Sequence, residues 1–320
     1  MPSDKNLEQQ SLPLLSKTTG EAILKTTPMF QQFMKVKAEN EECLLFFRMG
    51  DFYELFFEDA VIASKELDIA LTSRGQYDGK PVPMCGVPYH SYMPYLEKLT
   101  KKNYKIAICE QVESPKDAKI RGGYKAIVQR EVVRIVTPGT LTEEVLLEAD
   151  KNNFLLCICY SKKNVGLSWI DISTGEIYTE LCSKQNFLTS ISRVRPTEIL
   201  AIDNKLIEEN NYIELLKATF DCIITPIVQN ITSSKKAEKL ICLNYGVKSL
   251  DSFGNYTENE VLSCWSLLDY VSLTQKGNIP PIRFPKSVKN ESTMQIDNST
   301  RKSLEINQTL SGNKKGSLID

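Results

Sequence analysis

Residues 46–57, with the sequence FFRMGDFYELFF, place aromatic rings around a glycine and several charges. Six of the twelve residues are aromatic, against 8% of the whole chain, so ring chemistry is concentrated here. An aromatic ring on a protein surface can stack on a nucleobase or insert between base pairs, and Phe52 is the candidate for this role. The alternative is that Phe52 packs into the core, and the spacing of the residues alone favours that alternative. The stretch therefore leaves two interpretations of Phe52 open.

The same stretch predicts the elements that hold these side chains. Residues 44–47 are four consecutive apolar residues, which indicates a short buried strand. Gly50 permits a sharp turn after this strand. Asp51 can cap a helix, and Glu54 three residues later completes a capping box, which is a structural explanation of Glu54. We therefore predict a strand, a turn and a helix that begins at Phe52.

The bulk composition is that of an ordinary globular protein. The chain has 320 residues, of which 42% are hydrophobic and 25% charged, and this length predicts two or three domains. No run approaches the roughly eighteen apolar residues that a membrane span requires. Residues 1–20 are polar and lack the pattern of a signal peptide. We predict a disordered tail over these residues and a cytoplasmic protein with no membrane partner.

Metal chemistry has little support in the sequence. The nine cysteines contain no C-x-x-C pair and His90 is the single histidine, so a zinc site of cysteine and histidine is nearly excluded. We predict that the cysteines are small buried hydrophobic residues and that His90 is a structural residue in a loop. No metal ligand and no catalytic residue is assigned.

The net charge of −1 argues against a protein that coats nucleic acid by charge alone. The charges are unevenly distributed, because residues 39–68 carry nine acidic and two basic residues, whereas residues 98–134 carry ten basic and four acidic ones. The basic part includes residues 114–124, which contain two glycines and are predicted to be a loop. This loop either contacts a polyanion or is simply solvated, and composition does not separate the two.

The order of elements predicts a first domain over residues 21–136 of mixed α/β type. Residues 81–90 within it are rich in proline and glycine and are predicted to be a stiff loop. Residues 137–152 are predicted to be a linker. The other expected elements are helices that begin at Pro28 and after Ser91, and strands near residues 69–72, 104–109 and 132–136.

A second domain is predicted over residues 153–250. Three strands joined by short turns are followed by alternating helices and strands, which is the order of the ribonuclease H-like fold. Residues 256–320 then predict the start of an all-α unit. It has a long amphipathic helix capped by Thr257 and Glu260 and a second helix over residues 296–310. Because these apolar helix faces lack a partner, we expect this third unit to be incomplete.

The ribonuclease H-like fold raises a nuclease as an alternative function. Nucleases of this fold hold two metal ions with carboxylates, one of which projects from the first strand. The first strand here, residues 154–160, contains no Asp or Glu, and Asp171 at the end of the second strand has no acidic partner. A domain that only connects other domains is therefore favoured over an enzyme.

Several segments together resemble the MutS family of DNA mismatch-recognition proteins. They follow one another in a single order from about Thr27 to the end of the chain. They are RMGDFYELF at 48–56, PMCGVPYH at 83–90, AICEQ at 107–111, VVRIVTPGT at 132–140, residues 167–175, and DNSTRKSLEINQ at 297–308. The resemblance implies a mismatch-recognition domain, a connector domain and the start of a helical core domain.

In that family the phenylalanine of a Phe-x-Glu motif stacks on a mispaired base from the minor groove, and the duplex kinks there. The resemblance therefore implies this role for Phe52 and a hydrogen bond from Glu54 to the displaced base. Arg74 is a weaker candidate for a phosphate contact. The implied partner is double-stranded DNA with mispaired or unpaired bases. Because a carboxylate is unfavourable near phosphates, we expect Glu54 to be at least partly protonated when DNA is bound.

Full-length members of the family continue into a clamp and an ATPase domain that binds ATP and Mg²⁺, form homodimers and work with MutL. This sequence contains no Gly-Lys-Ser/Thr phosphate loop, and residues 312–317, GNKKGS, have the wrong order. The resemblance implies an N-terminal portion that binds DNA, needs no cofactor and is not an enzyme, located at the nucleoid of a bacterial cytoplasm. An inactive or interfering truncated protein is the remaining alternative.

Overall fold

The computed structural model describes residues 27–123, 126–143, 146, 152–203, 212–228, 230–288, 296, 298–306, 309–313 and 315–319. The tail predicted over residues 1–20 lies outside these described residues. Within them, two six-stranded sheets carry helices on their faces. In this part of the chain no helix is both long and apolar enough to cross a lipid bilayer. The fold is therefore of the mixed α/β class that the sequence predicts.

The first sheet and its helices lie between residues 28 and 136. The strands are β1 (Cys43–Met49), β2 (Phe52–Phe56), β3 (Thr72–Tyr77), β4 (Lys80–Pro88), β5 (Lys105–Gln111) and β6 (Arg130–Val136). The helices are α1 (Pro28–Ala38), α2 (Phe57–Leu67), α3 (Met93–Lys101) and α4 (Pro115–Gly122). The strand order is β3-β4-β2-β1-β5-β6, in which β1 and β5 are parallel and all other neighbours are antiparallel.

The helix predicted to begin at Phe52 is wrong, because this residue begins the strand β2. Residue 49 pairs with residue 52, so Gly50 and Asp51 form a two-residue hairpin loop in which Gly50 has a φ of 58°. Glycine adopts a positive φ here without steric cost. The sheet is covered on both faces, and Leu55 and Phe56 belong to the cores on opposite sides of it. Such two-sided burial favours a strand and overrides the local capping pattern.

Two further differences concern the neighbouring strands. The strand predicted near residues 69–72 lies at Thr72–Tyr77 instead, and residues 81–90, predicted to be a loop, supply most of β4. Pro81 and Pro83 lie in the part of β4 that pairs with β3 alone. A proline lacks an amide hydrogen, and it is tolerated in a strand where one side is open. The proline pattern therefore marks a half-open strand and not a loop.

The basic segment at residues 114–124, predicted to be a loop, contains the helix α4. Ser114 and Asp117 form a capping box, and Pro115 occupies the first turn of the helix. These are strong start signals for a helix, and they outweigh the glycines at its end.

Of the two other predicted helix starts in this unit, one is confirmed and one is wrong. Thr27 caps α1, and Pro28 occupies its first turn, as predicted. The predicted cap Ser91 is wrong, because residues 89–91 form a 3₁₀ helix and α3 begins at Met93. Since a 3₁₀ turn often precedes an α-helix, the chain turns before the regular helix starts.

Aromatic side chains fill the layer between α1 and the first sheet. Phe33 meets Phe47 and Phe56 edge to face, with ring centroids 5.5 and 5.1 Å apart. Phe30 meets Phe56 in the same way at 5.3 Å. Each such pair contributes about 0.5–1.5 kcal/mol beyond the burial of its area. The helices α2 and α3 pack on the opposite face, where Leu55 and Leu96 are fully buried.

The second sheet consists of β7 (Phe154–Tyr160), β8 (Asn164–Asp171), β9 (Glu176–Ser183), β10 (Glu198–Asp203), β11 (Ile223–Val228) and β12 (Lys286–Ser287). Its described helices are α5 (Phe187–Val194), α6 (Tyr212–Thr219), α7 (Ser234–Tyr245) and α8 (Glu258–Thr274). The strand order is β11-β10-β7-β8-β9-β12. The strands β7, β8 and β9 are antiparallel to their neighbours among these three. The strands β10 and β11 run parallel to β7. This arrangement agrees with the predicted ribonuclease H-like order.

The helix α8 packs on the second sheet, although the sequence assigns it to a third unit. Thr257 and Glu260 form the predicted capping box at its start. Its apolar face, which includes Val261 and Leu268, joins the core cluster of the second sheet. Beyond β12, the described residues contain one helix, the six-residue α9 (Asn298–Ser303). The all-α core domain therefore stays a prediction.

The cysteines behave as the sequence predicts. All nine are free, eight are buried, and Cys222 is partly buried. Burial raises the pKa of thiols such as Cys109 and Cys159 to about 12. Such thiols stay protonated at neutral pH and act as small hydrophobic side chains.

Glu198 of β10 connects the segment that follows β6 to the second sheet. Its buried carboxylate accepts hydrogen bonds from Thr137 Oγ1 and from the amide of Gly139 at 3.1 Å. It also accepts from Thr225 Oγ1 and from the Tyr270 hydroxyl, both at 2.8 Å. Four donors from three segments therefore satisfy one buried acceptor. The stretch that the sequence assigns to a linker begins with buried residues that are fixed in this way.

Replacing Glu198 with alanine should lower the free energy of unfolding by about 3 kcal/mol or more, because four buried donors lose their acceptor. Urea unfolding followed by circular dichroism measures this loss. Glu176→Ala is the control, since Glu176 lies on the surface and pairs with exposed Arg283 and Lys286. It should change stability little. Equal stability of the two variants would contradict the proposed role of the junction.

Candidate nucleic-acid interface

Phe52 lies on the protein surface beside the hairpin loop. The residue is 47% exposed, whereas its neighbour Tyr53 is 2% exposed. The interpretation of Phe52 as a core residue is therefore wrong. Successive side chains of a strand point to opposite faces, so Phe52 shares its face with Glu54 and Phe56. Of these three, Phe56 alone belongs to the aromatic layer under α1.

Gly86 keeps the space between Phe52 and Glu54 open. It lies opposite Glu54 in the pairing of β2 with β4. A Cβ atom on Gly86 would lie 3.7 Å from Glu54 Cγ and 3.8 Å from Phe52 Cδ1, in contact with both side chains. The missing side chain therefore leaves a gap between an aromatic ring and a carboxyl group. Gly86 lies in the segment PMCGVPYH, but no sequence pattern links it to Phe52 or Glu54.

The two oxygen atoms of the Glu54 carboxyl have different surroundings. Oε1 accepts a hydrogen bond from Arg74 Nη1 within an ion pair. Oε2 is buried and has no hydrogen-bond partner in the described part of the chain. Burial raises the pKa of the Glu54 carboxyl, and the charges of Arg74 and Arg130 oppose this rise. Oε2 therefore has unused capacity to accept a hydrogen bond or, when protonated, to donate one.

Arg74 reaches Glu54 from the outer strand β3. The pairing of β3 with β4 shifts between Ser73 and Gln76, so Arg74 lies on a bulge. Bulges re-aim side chains, and this one accompanies the contact of Arg74 with Glu54. The Arg74 side chain nevertheless stays 44% exposed. The structure therefore brings together the three residues that the sequence analysis selected, which are Phe52, Glu54 and Arg74.

A second arginine near Glu54, Arg130, was missed by the sequence analysis. Its Nε donates to the carbonyl of Arg48 at 2.6 Å, and its Nη1 donates to Gln32 Oε1 at 3.1 Å. Its guanidinium also lies over the Phe47 ring, 5.1 Å from the centroid. Burial lowers the pKa of Arg130. No sequence pattern links it to Glu54, because β5 and β1 separate their strands in the sheet.

Asp171, the acidic residue considered for a nuclease, accepts hydrogen bonds from its own turn and from the start of the neighbouring strand. Its Oδ1 accepts from the amide and the hydroxyl of Ser173, at 3.0 and 2.6 Å, and its Oδ2 accepts from the amide of Asn153 at 3.2 Å. The described residues contain no group of three or more histidine, cysteine, aspartate or glutamate side chains that could hold a metal ion. The nuclease alternative gains no support from this geometry.

Comparison with known proteins identifies both sheets. The sequence matches MutS domain I over residues 27–145 and MutS domain II over residues 153–283. It is 45% identical over 293 residues to the DNA mismatch repair protein MutS of Cereibacter sphaeroides. The MutS proteins of Anaplasma phagocytophilum and Wolbachia pipientis wMel are 44% and 43% identical. Each alignment covers 92% of this chain, but the chain spans only about a third of each relative, between 32% and 35%.

The two sheets thus correspond to the first two domains of a DNA mismatch repair protein. The chain belongs to the MutS family, and the resemblance found in the sequence is confirmed.

The buried carboxyl of Glu54 should make stability depend on pH. Because burial raises its pKa in the folded state, its stabilising contribution is complete at low pH and is lost as the pH rises through the folded-state pKa. Glutamine stays neutral, so Glu54→Gln should gain stability relative to the wild type as the pH rises. Urea unfolding between about pH 4 and about pH 8 tests this.

Glu42→Gln is the control for this pH series. Its side chain is 80% exposed and pairs with Lys105 on the surface. We expect this variant to follow the wild-type pH dependence. A stability difference between Glu54→Gln and the wild type that stays constant across the series would contradict the prediction.

Proposed function

We propose that this chain binds duplex DNA at a mispaired or unpaired base, with the Phe52 ring stacked on that base and Glu54 hydrogen-bonded to it. The observation that carries the proposal is the exposed ring of Phe52 beside the Glu54 carboxyl, on one face of one strand; one oxygen of this carboxyl is buried and has no hydrogen-bond partner among the described residues. The match to MutS domain I and the names of the relatives support the choice of DNA as the ligand.

The proposed discrimination does not require the protein to read the base sequence. Inserting a ring between bases unstacks them and kinks the duplex, which costs a few kcal/mol at a fully paired site. The cost is lower where pairing is already lost, because such a site is easier to deform. Stacking one base on an aromatic ring returns about 1–3 kcal/mol. The two quantities are comparable, so only a weakened site should give net binding by this route.

We assign the chain a binding role without catalysis and without a cofactor of its own. Two observations support this choice over a nuclease. The strand β7 contains no Asp or Glu, and Asp171 accepts a hydrogen bond from the amide of Ser173 in its own turn. From family membership we propose the action of the whole protein. This action includes ATP and Mg²⁺ binding, homodimer formation and cooperation with MutL. The same holds for a place at the nucleoid in a bacterial cytoplasm.

Replacing Phe52 with alanine should remove the preference for mismatched DNA. Without the ring, affinity for a duplex with one unpaired base should fall by about 5- to 150-fold, which corresponds to about 1–3 kcal/mol of stacking. Affinity for the fully paired duplex should change little. Fluorescence anisotropy with labelled duplexes measures both affinities.

Phe253→Ala is the matched control, since Phe253 is also exposed, at 41%, but stacks on Phe284 in the second unit. This variant should keep the mismatch preference of the wild type. Equal binding of mismatched and paired duplexes by the wild-type chain would show that the chain does not recognise mismatches.

Glu54 should act through a protonated carboxyl when DNA is bound. Glutamine keeps the shape and a hydrogen-bond donor, so Glu54→Gln should retain most of the mismatch affinity. Glu54→Ala loses the hydrogen bond and should weaken mismatch binding by about tenfold. The same anisotropy assay compares the two variants. A loss for Glu54→Gln as large as that for Glu54→Ala would exclude the protonated form.

A further inference from the structure

Three polar residues meet behind the hairpin, on the face of the sheet opposite to Phe52. The segments RMGDFYELF, PMCGVPYH and AICEQ supply one each, which are Arg48, Tyr89 and Glu110. Arg48 pairs with Tyr53 across the hairpin, so its side chain lies on the face away from Phe52. None of the three takes part in the proposed contact with the base.

The Arg48 guanidinium contacts the hairpin loop and two neighbouring segments at once. Its Nε donates a hydrogen bond to the carbonyl of Gly50 in the loop, at 2.5 Å. Its central carbon lies over the ring of Tyr89, 3.1 Å from the centroid, and Nη1 lies 3.7 Å from Oε1 of Glu110. The same carboxylate oxygen accepts a hydrogen bond from the Tyr53 hydroxyl. Arg48 therefore ties the loop to the end of β4 and to β5.

The backbone of Tyr89 holds the other half of the loop. Its amide donates a hydrogen bond to the carbonyl of Asp51 at 3.0 Å. Since Arg48 binds the carbonyl of Gly50 and stacks on the Tyr89 ring, one stacked pair of residues holds both carbonyl groups of the two-residue loop.

The Phe52 ring depends on this support. It belongs to neither core cluster of the first sheet, so its direction follows from the backbone of residues 50–52. The register of β1 with β2 consists of three residue pairs, which is a short ladder. Fixing one loose residue during binding weakens affinity by about tenfold, because its conformational freedom is lost. A loop that is held in advance avoids this loss.

We propose that Arg48 is a positioning residue, which together with Tyr89 and Glu110 fixes the loop of residues 50–51 so that the Phe52 ring points outwards before DNA binds. This inference rests on the proposed function, since the Phe52 ring is the group that contacts the base. It adds a cluster that determines specificity through the loop and not through contact with DNA.

The alternative role for Arg48 is a direct ionic contact with DNA. The side chain is only 14% exposed, and its guanidinium already faces Glu110 and the Tyr89 ring. A phosphate contact would strengthen binding to paired and mismatched duplexes alike, because it does not depend on the bases. A positioning role affects the mismatched duplex alone. The two roles therefore predict different results for the same variant.

Arg48→Met tests the proposal, since methionine keeps much of the apolar stem and removes the guanidinium. We expect affinity for a duplex with one unpaired thymine to fall by about tenfold, and affinity for its fully paired counterpart to change little. Arg48→Lys keeps the charge but loses the planar group that stacks and donates, so it should restore only part of the loss. Fluorescence anisotropy of labelled duplexes measures these affinities.

Lys37→Met is the matched control in the same unit. Lys37 pairs with the buried carboxylate of Asp59 at 2.9 Å and donates to the carbonyl of Cys43, at the end of β1 that is far from the hairpin. Its removal should lower the stability of the first unit and leave the ratio of the two affinities unchanged. This control separates a loss of stability from a loss of loop position.

A double-mutant cycle with Phe52→Ala supplies a readout that a merely structural role would not change. If Arg48 acts through the ring, Arg48→Met should cost no further mismatch affinity once the ring is absent. A role in stability alone would cost the same factor with and without the ring, because independent effects add. Tyr89→Leu removes the stacked ring and keeps apolar volume, so it should behave in the same way. It supplies the test if Arg48→Met does not fold.

Hydrogen exchange followed by mass spectrometry tests the loop without DNA. In Arg48→Met, residues 49–53 and the amide of Tyr89 should exchange faster than in the wild type, because local opening becomes easier. Exchange in the second sheet should stay unchanged. In Lys37→Met, residues 49–53 should keep the wild-type rate.

The outcomes separate this inference from the proposed function. Equal losses for both duplexes, or full rescue by Arg48→Lys, would assign Arg48 a contact through its charge and overturn the positioning role. Wild-type exchange of residues 49–53 in Arg48→Met would overturn it as well, and so would an additive cycle with Phe52→Ala. A wild type without mismatch preference would remove the proposed function, whereas the exchange rates would still decide whether Arg48 holds the loop.

Discussion

The antiparallel pairing of β1 with β2 is the constraint on which the interface depends. Because two residues join these strands, Met49 must pair with Phe52, and every later pair follows from that register. The register puts Phe52 and Glu54 on one face and Tyr53 in the opposite core. A slip by one residue would bury the ring of Phe52 and turn Tyr53 outwards. Gly50 is the residue whose positive φ permits this short loop.

The electrostatics of the site follow from the same register. The Glu54 carboxyl lies between neighbouring strands, and its side chain is only 11% exposed. A buried carboxyl requires either a cation or a proton. Two cations act on it: Arg130 of β6, which is half-buried, and Arg74 of β3, which lies on a bulge with a side chain that is 44% exposed. Burial therefore raises the pKa of the Glu54 carboxyl, and the two arginines oppose this rise.

Sequence patterns predicted the second sheet better than the first. In the second unit, short turns and the capping box of Thr257 and Glu260 are local signals that the tertiary structure does not override. In the first unit, the apparent capping box of Asp51 and Glu54 lies in a hairpin, because burial on two sides favours a strand. That burial is a tertiary property, which a local pattern does not contain.

The interface shows the same limit. Phe52, Glu54 and Arg74 were selected through resemblance to a family, since spacing alone favoured a buried Phe52. The pairing of Arg74 with Glu54 depends on a bulge between two strands, and the approach of Arg130 depends on the strand order of the whole sheet. Neither contact corresponds to a periodic pattern in the sequence. Residue types could therefore be predicted, whereas the contacts between them required the fold.

The hydrogen bonds of Glu198 have a mechanical consequence. If a duplex bends around Phe52 as proposed, it would exert a torque on the first sheet, and a flexible linker after that sheet would absorb the rotation. Thr137 and Gly139 are instead anchored to a carboxylate that also holds Tyr270 of α8 and Thr225 of β11. Under the proposed function, a rotation of the first sheet would therefore load these hydrogen bonds and the second sheet with them.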